Sequence, residues 1–476
     1  MLLIAVLIMS GAALYNGYPM VYSDTGAYLR MYNIGDRSVF YSLFLAPARL
    51  THTLWSVVFA QCLLAAYLLR LVLREVFAID SRLEFLAIIA VLCMTTSLPW
   101  YAGFLMPDIF TPLMVLGLFM LAFCFERLSR WEQCFVVSLT FVATIVHYSH
   151  IPIAIGLLAI GILARWVQSR YSRAAIPHLA LPAAVVAAGL VAVVMSNYLM
   201  LGIVTYSPAG YAFVLARLVQ NGPAVEYLRE SCPTRHYAAC AFLDQMPMSS
   251  SKFLWSENNL FSKDGFIGQR KEGLEIVAGT IKEYPLWVFR DAIADTFRQL
   301  LHCLTGGGLR SWATNYNPSV PLRSLYPEEF ASYMNSKQNR GQLEHMRGIQ
   351  YLDASFLLFS VFYCVSIGIL LACRRQWLPV ELIITVGVAI LLHAFVMGAI
   401  SEPINRYGSR VIWLIPLIAI GFWRKAVEPP DATDAMQPRH GGNAGSTPAG
   451  ITNQITYAAA RCEPEMAPSH RSSWHN

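Results

Sequence analysis

The chain is 476 residues long, 56% hydrophobic and 13% charged, which is too apolar for a soluble protein of this size. Its apolar runs approach the ~20 residues that cross a bilayer as helix, and unpaired backbone amides are costly in lipid, so a β-barrel is excluded and an all-α polytopic membrane protein is predicted. The formal charge of +6 sits in short basic groups between apolar runs, with no continuous basic stripe, which excludes nucleic acid as a partner.

In chain order the apolar runs fall at 1–17, 54–73, 84–105, 109–125, 133–149, 151–167, 178–204, 353–373, 379–400 and 410–424, predicting about ten transmembrane helices. The first run lacks a basic n-region and a small-x-small cleavage site, so it reads as a span and not as a signal peptide. Basic residues gather in alternate connections: Arg70, Arg74 and Arg82; Arg127 and Arg130; Arg165, Arg170 and Arg173; Arg374 and Arg375; Arg424 and Lys425. The positive-inside rule makes these the cytoplasmic loops, places both termini in the cytoplasm and fits a multi-pass protein of a cell inner (plasma) membrane.

Four parts follow from this pattern. Residues 1–204 form a seven-span module, 205–352 an extracytoplasmic loop domain between spans seven and eight, 353–424 three further spans, and 425–476 a disordered cytoplasmic tail. The tail is rich in Pro, Gly, Ser, Asn and Thr and cannot bury enough apolar surface to fold. Within the loop domain a helical period near 271–301 sets Leu274, Ile276, Val277, Ile281, Leu286, Val288 and Phe289 among charges, until Gly306-Gly307-Gly308 breaks it. Such an amphipathic helix either lies on the membrane surface or packs in the small domain. Cys232 and Cys240 bracket a polar stretch on the outer side, where a disulfide persists, although two nearby thiols can also stay free. Cys62, Cys93, Cys124, Cys134, Cys364 and Cys373 lie in or beside apolar runs and read as small hydrophobes.

Ionisable residues beside span ends are where function is sought in such a chain, because charge inside lipid is costly. They gather on the outer side. The first outer loop carries Tyr22-Ser23-Asp24-Thr25-Gly26 and then Asp36-Arg37-Ser38-Val39-Phe40-Tyr41, and Met106-Pro107-Asp108 stands just before the fourth run. His147-Tyr148-Ser149-His150 makes a very short third outer loop, and Arg406-Tyr407-Gly408-Ser409-Arg410 opens the last span. Each also has a plainer role: Asp24 as a cap, Asp108 as an acid at a helix N-terminus, the histidines as interfacial residues, the arginines as headgroup contacts.

The arrangement resembles the GT-C superfamily of integral membrane glycosyltransferases, which use polyprenyl-phosphate-linked sugars. In that superfamily an acid stands in the first outer loop just after span one, followed by an Arg and an aromatic-rich stretch, matched by Asp24 and Arg37-Ser38-Val39-Phe40-Tyr41. A second acid precedes span four, matched by Asp108, and an Arg-Tyr near the start of a late span is matched by Arg406-Tyr407. The likeness runs over most of 1–424, through short motifs. The chain departs from it in having Asp24-Thr25 where many members pair two acids, a lone Asp108 where they have Asp-x-Asp, and no proline in the Arg37 stretch.

The resemblance implies transfer of a sugar from a polyprenyl-phosphate donor to an extracytoplasmic acceptor, a lipid or cell-envelope glycan, by inverting displacement. Asp24 would act as general base, and Asp108, with His147 or His150, as the second catalytic residue would position the acceptor or hold a divalent ion. Arg37, Tyr41, His147, His150, Arg406 and Arg410 would bind substrate, with Arg406 and Arg410 offsetting phosphate charge. The cofactor requirement stays open between none and a divalent metal ion at Asp24 and Asp108. Two other readings remain beside this one: a transporter or flippase of a lipid-linked glycan, and a non-catalytic membrane scaffold. No internal repeat of the kind transporters show is visible.

Overall fold

The computed structural model describes residues 1–32, 35–171, 177–344 and 346–427. The tail expected from 425 lies outside the described residues from 428 onward, as does Arg173. Among the described residues regular structure is helical, with one isolated bridge between Met20 and Phe104.

Four helices are long and apolar enough to cross a membrane: Trp55–Phe77, Ala180–Leu201, Arg347–Cys373 and Trp377–Ser401. The other apolar runs also form helix, but shorter or interrupted: Leu2–Met9 with Gly11–Asn16, Arg82–Thr95 with Leu98–Gly103, Phe110–Phe123, Asn405–Ile412 with Leu414–Val427. The interruptions have local causes. Thr96 is extended because Pro99 has no N–H to give the Thr95 carbonyl and its ring would crowd that carbonyl, so Arg82–Thr95 stops and a new helix starts with the proline in its first turn.

Burial sorts the long helices. Trp55–Phe77 is 61% buried over its apolar window and packs on Leu2–Met9 and Phe110–Phe123, so it is central. Arg347–Cys373 is 22% buried and turns Leu358, Phe359, Phe362, Val365 and Ile369 outward, a surface that suits lipid and not water. Arg130–Ile145 begins with a Ser129/Glu132 capping box and packs so close to Phe110–Phe123 that a Cβ on Gly117 would stand 2.2 Å from Thr140 Oγ1.

The stretch 205–352 does not share one core. Residues 209–276 build their own around Leu215, Val219, Leu228, Phe253, Phe261 and Ile276, and Cys232 is bonded to Cys240 at its edge. Leu309, Trp312, Leu322, Tyr326, Tyr333 and Leu343 belong instead to the main core with Tyr18 and Met20. The reason lies in polar groups that the apolar pattern does not reveal. Gln338 clasps the Val21 backbone, accepting from its N–H and donating to its carbonyl, and Gln338 N–H donates to Asn16 Oδ1. Tyr18 and Thr53 hydroxyls donate to Glu329. The returning chain thus roofs the first loop.

The helical period near 271–301 resolves into Arg270–Glu283 and Pro285–Leu301, parted at Tyr284 before a proline. The second helix buries Asp295, Thr296 and Gln299 and exposes Leu286, Phe289, Phe297 and Leu301. Its polar face is inward because Asp295 pairs with Arg217 at 2.6 Å and Gln299 Nε2 donates to the Ile404 carbonyl.

Gly26 marks where roof and loop meet: a Cβ there would lie 1.6 Å from the Asn317 carbonyl oxygen, closer than any contact a side chain can make. Gly26→Ala is therefore expected to cost at least ~1–3 kcal/mol of stability. Thermal melting of the detergent-purified protein checks this, and an unchanged midpoint would show that the roof moves aside freely.

Candidate functional site

Two chain segments are strapped side by side at this end of the bundle. Met20 N–H donates to Gly103 O, Leu105 N–H donates to Met20 O, and the Thr25 hydroxyl donates to Leu105 O. Asp24, at the end of the first segment, is thereby set beside the backbone that leads to Asp108. Gln61 of the central helix fixes the second segment, donating to the carbonyls of Ala102 and Phe104 while accepting from Tyr41.

Asp108 is 1% exposed and lies between two guanidinium groups, at 2.6 Å from Arg406 Nη2 and 3.2 Å from Arg410 Nη1. Arg410 is fully buried, and its other nitrogens are engaged too: Nε donates to His393 Nε2 at 3.0 Å and Nη2 faces Met397 Sδ. Arg406 places its guanidinium 3.8 Å from the centre of the Tyr22 ring, a cation–π contact that ties it to the first loop. Both arginines face the acid because Asn405–Ile412 is helical, which sets residues four apart on one side. The helix is pinned by the Tyr101 hydroxyl, which bonds the Arg406 carbonyl and the Ser409 hydroxyl.

Asp24 contrasts with this. Its side chain is 35% exposed, and Arg37 Nη2 and Ser23 Oγ both stand 3.4 Å from Oδ1, long for hydrogen bonds. Arg37 is drawn more strongly to Asp36, at 2.5 Å. Burial pushes the Asp36 carboxyl above its usual pKa against the pull of Arg37, and one of its oxygens is buried with no hydrogen-bond partner. Arg37 is held above the ordinary guanidinium range: burial opposes its charge, but Asp24 and Asp36 outweigh that. Tyr28 links the two halves. Burial raises its hydroxyl pKa, Arg37 lowers it, and Asp24, Asp36 and Asp108 all add to the rise, so the acids share one electrostatic neighbourhood. Three carboxylates, Asp24, Asp36 and Asp108, are matched there by three guanidinium groups, Arg37, Arg406 and Arg410.

The remaining expected site residues serve as walls. Tyr41 is fully buried among Tyr28, Phe44 and Phe110 with its hydroxyl on Gln61, so it positions the loop and does not face a ligand. His150 is fully buried and bonded at both ring nitrogens, Nδ1 to the Ala143 carbonyl and Nε2 to the Thr111 hydroxyl. A carbonyl only accepts, so Nδ1 carries the proton and the ring has no lone pair left for a metal. His147 accepts the Ser149 N–H at Nδ1 and stacks near His150, with ring centres 5.3 Å apart.

A divalent ion does not fit Asp108 as it stands. Both of its oxygens face guanidinium groups, which a cation would have to displace.

Gln61 and His393 of this site were not singled out in the sequence, and Tyr22 and Asp36 stood in the first-loop stretches without a role of their own. His393 and Gln61 carried a readable signal, a polar side chain inside an apolar run, which usually faces the bundle interior. No protein-family profile, curated protein or solved structure matches this chain.

Proposed function

We propose that the protein is an integral membrane glycosyltransferase of about ten spans that moves a sugar from a polyprenyl phosphate to an extracytoplasmic lipid or glycan acceptor, with both termini cytoplasmic. The observation that carries the reading is the contrast between the two acids. Asp108 is sealed and doubly ion-paired, whereas Asp24 beside it is half open and loosely held by Arg37. A base that must take a proton from an incoming hydroxyl needs access and an unsaturated carboxylate, and an electrostatic scaffold needs neither.

In this reading the acceptor hydroxyl oxygen attacks the anomeric carbon while its proton passes to the Asp24 carboxylate. The bond between that carbon and the phosphate oxygen breaks, the phosphate leaves with the electron pair, and the configuration inverts. Arg37 orients Asp24. Arg406, 8% exposed and lying under Tyr22, is the cation placed to meet the phosphate, and Arg410 supports it through their shared Asp108. The outward apolar faces of Arg347–Cys373 and Pro285–Leu301 support lipid contact on the side from which such a donor arrives.

The test is transfer in proteoliposomes that contain the purified protein and a synthetic polyprenyl-phosphate sugar, paired with mass spectrometry of envelope glycans in cells with and without the protein. Sugar transfer in vitro, with loss of a glycan and a rise in lipid-linked sugar in the deletion strain, is expected. Donor that crosses the bilayer without any transfer would identify a flippase instead.

A further inference from the structure

A second polar site lies apart from the acids and arginines above, at the entrance of Arg347–Cys373. Asp353 is 8% exposed, and its Oδ2 accepts from the Thr305 hydroxyl. Its other oxygen, Oδ1, is buried with no hydrogen-bond partner. Among the described residues Asp353 forms no ion pair, although a buried carboxylate left uncompensated is costly. Beside it is a cavity of about 20 Å³, room for one water-sized occupant, with Thr95, Thr96, Ser97, Thr305 and Asp353 on its polar side and Leu304, Leu357, Trp413 and Pro416 among the apolar groups that close the rest.

The protons of those hydroxyls are already directed elsewhere. Thr95 donates to the Val91 carbonyl, Thr96 to that of Leu92, Ser97 to that of Ser409, and Thr305 to Asp353. The hydroxyl oxygens thus have only lone pairs to offer, and the carboxylate adds one uncompensated negative charge. An occupant whose polar contacts in this cavity are all acceptors is a cation or a group that only donates, and a single positive charge balances a single carboxylate. We propose that the cavity beside Asp353 binds one monovalent cation of the sodium class through Asp353, Thr305 and the hydroxyls of the Thr95-Thr96-Ser97 corner. The ion would join three elements: the corner where Arg82–Thr95 ends, the loop before Gly306, and the long helix that starts at Arg347. That loop carries the Leu304 N–H, which donates to Asn405 next to Arg406. The site is independent of the transferase reading, since it uses none of the residues assigned there.

The experiment melts the detergent-purified full chain in sodium, potassium and choline chloride at equal ionic strength and fixed pH. The wild-type midpoint is expected to rise saturably with sodium relative to choline, because a ligand that binds only the folded state stabilises it by mass action. Asp353→Asn keeps the shape without the charge and is expected to melt alike in sodium and choline. Thr305→Val keeps the carboxylate but removes one oxygen, and is expected to raise the half-saturating sodium concentration by about 10–100-fold. Where the Asn variant does not fold, the valine variant decides alone. A wild-type midpoint equal in all three salts, one that follows pH without following the cation, or variants that keep the full sodium response would overturn the proposal.

Discussion

Asp24→Asn is expected to insert and fold as the wild type does and to lose ~10²–10⁴-fold in transfer rate. The substitution keeps the size and one hydrogen-bond acceptor of the side chain but removes its ability to take a proton. Its structural cost is small, because the side chain is 35% exposed and its contact with Arg37 is a loose 3.4 Å. Such exposed pairs contribute ~0–1 kcal/mol. Arg37 keeps its shorter contact with Asp36, so the first loop stays anchored without Asp24. The informative measurement is the pair of observables together: melting midpoint and initial transfer rate in the same preparation. A folded variant with wild-type turnover would remove Asp24 from catalysis and leave the non-enzymatic readings in front.

Asp108→Asn should do the opposite, destabilising the protein by ~3–5 kcal/mol, the usual consequence of leaving a buried charge without its partner. Here two guanidinium groups lose it at once, Arg410 with no exposure at all and Arg406 with 8%. The loss should appear as a lower melting midpoint and a poorer yield of folded protein, with any fall in activity following from it. A double variant, Asp108→Asn with Arg410→Gln, is expected to recover part of the loss, because it removes one of the orphaned charges together with the acid. If Asp108→Asn instead melts like the wild type and only turnover falls, Asp108 acts on substrate directly and the scaffold role assigned to it is wrong. The two acids are therefore separable by which observable moves first.

Asp24 and Asp108 look alike in the sequence, each an isolated aspartate beside an apolar run, and so do Arg406 and Arg410. Their different fates depend on pairings at long range. Asp108 meets Arg406 across 298 residues and Arg410 across 302, while Arg37 is 13 residues from Asp24. The same limit explains Tyr41 and His150. Both stand in stretches that suggest ligand contact, yet Gln61 and Thr111, reached only through helix packing, occupy their polar atoms.

What the sequence alone determined is what depends on local composition: the helical class of the described residues and helix at the apolar runs, whereas of the ten spans it predicted the structure makes four single helices long and apolar enough to cross a membrane. These follow from hydropathy and from the requirement that backbone amides be satisfied within a segment, which each run meets by itself. The tertiary structure alone decided that residues beyond Gly308 roof the first loop, that the second half of the amphipathic stretch turns its polar face inward, and that Asp108 is sealed while Asp24 stays open. Each of these turns on where a polar side chain finds its partner. A buried carboxylate, amide or guanidinium must be matched by groups brought to it from distant parts of the chain, and no local pattern records which those will be.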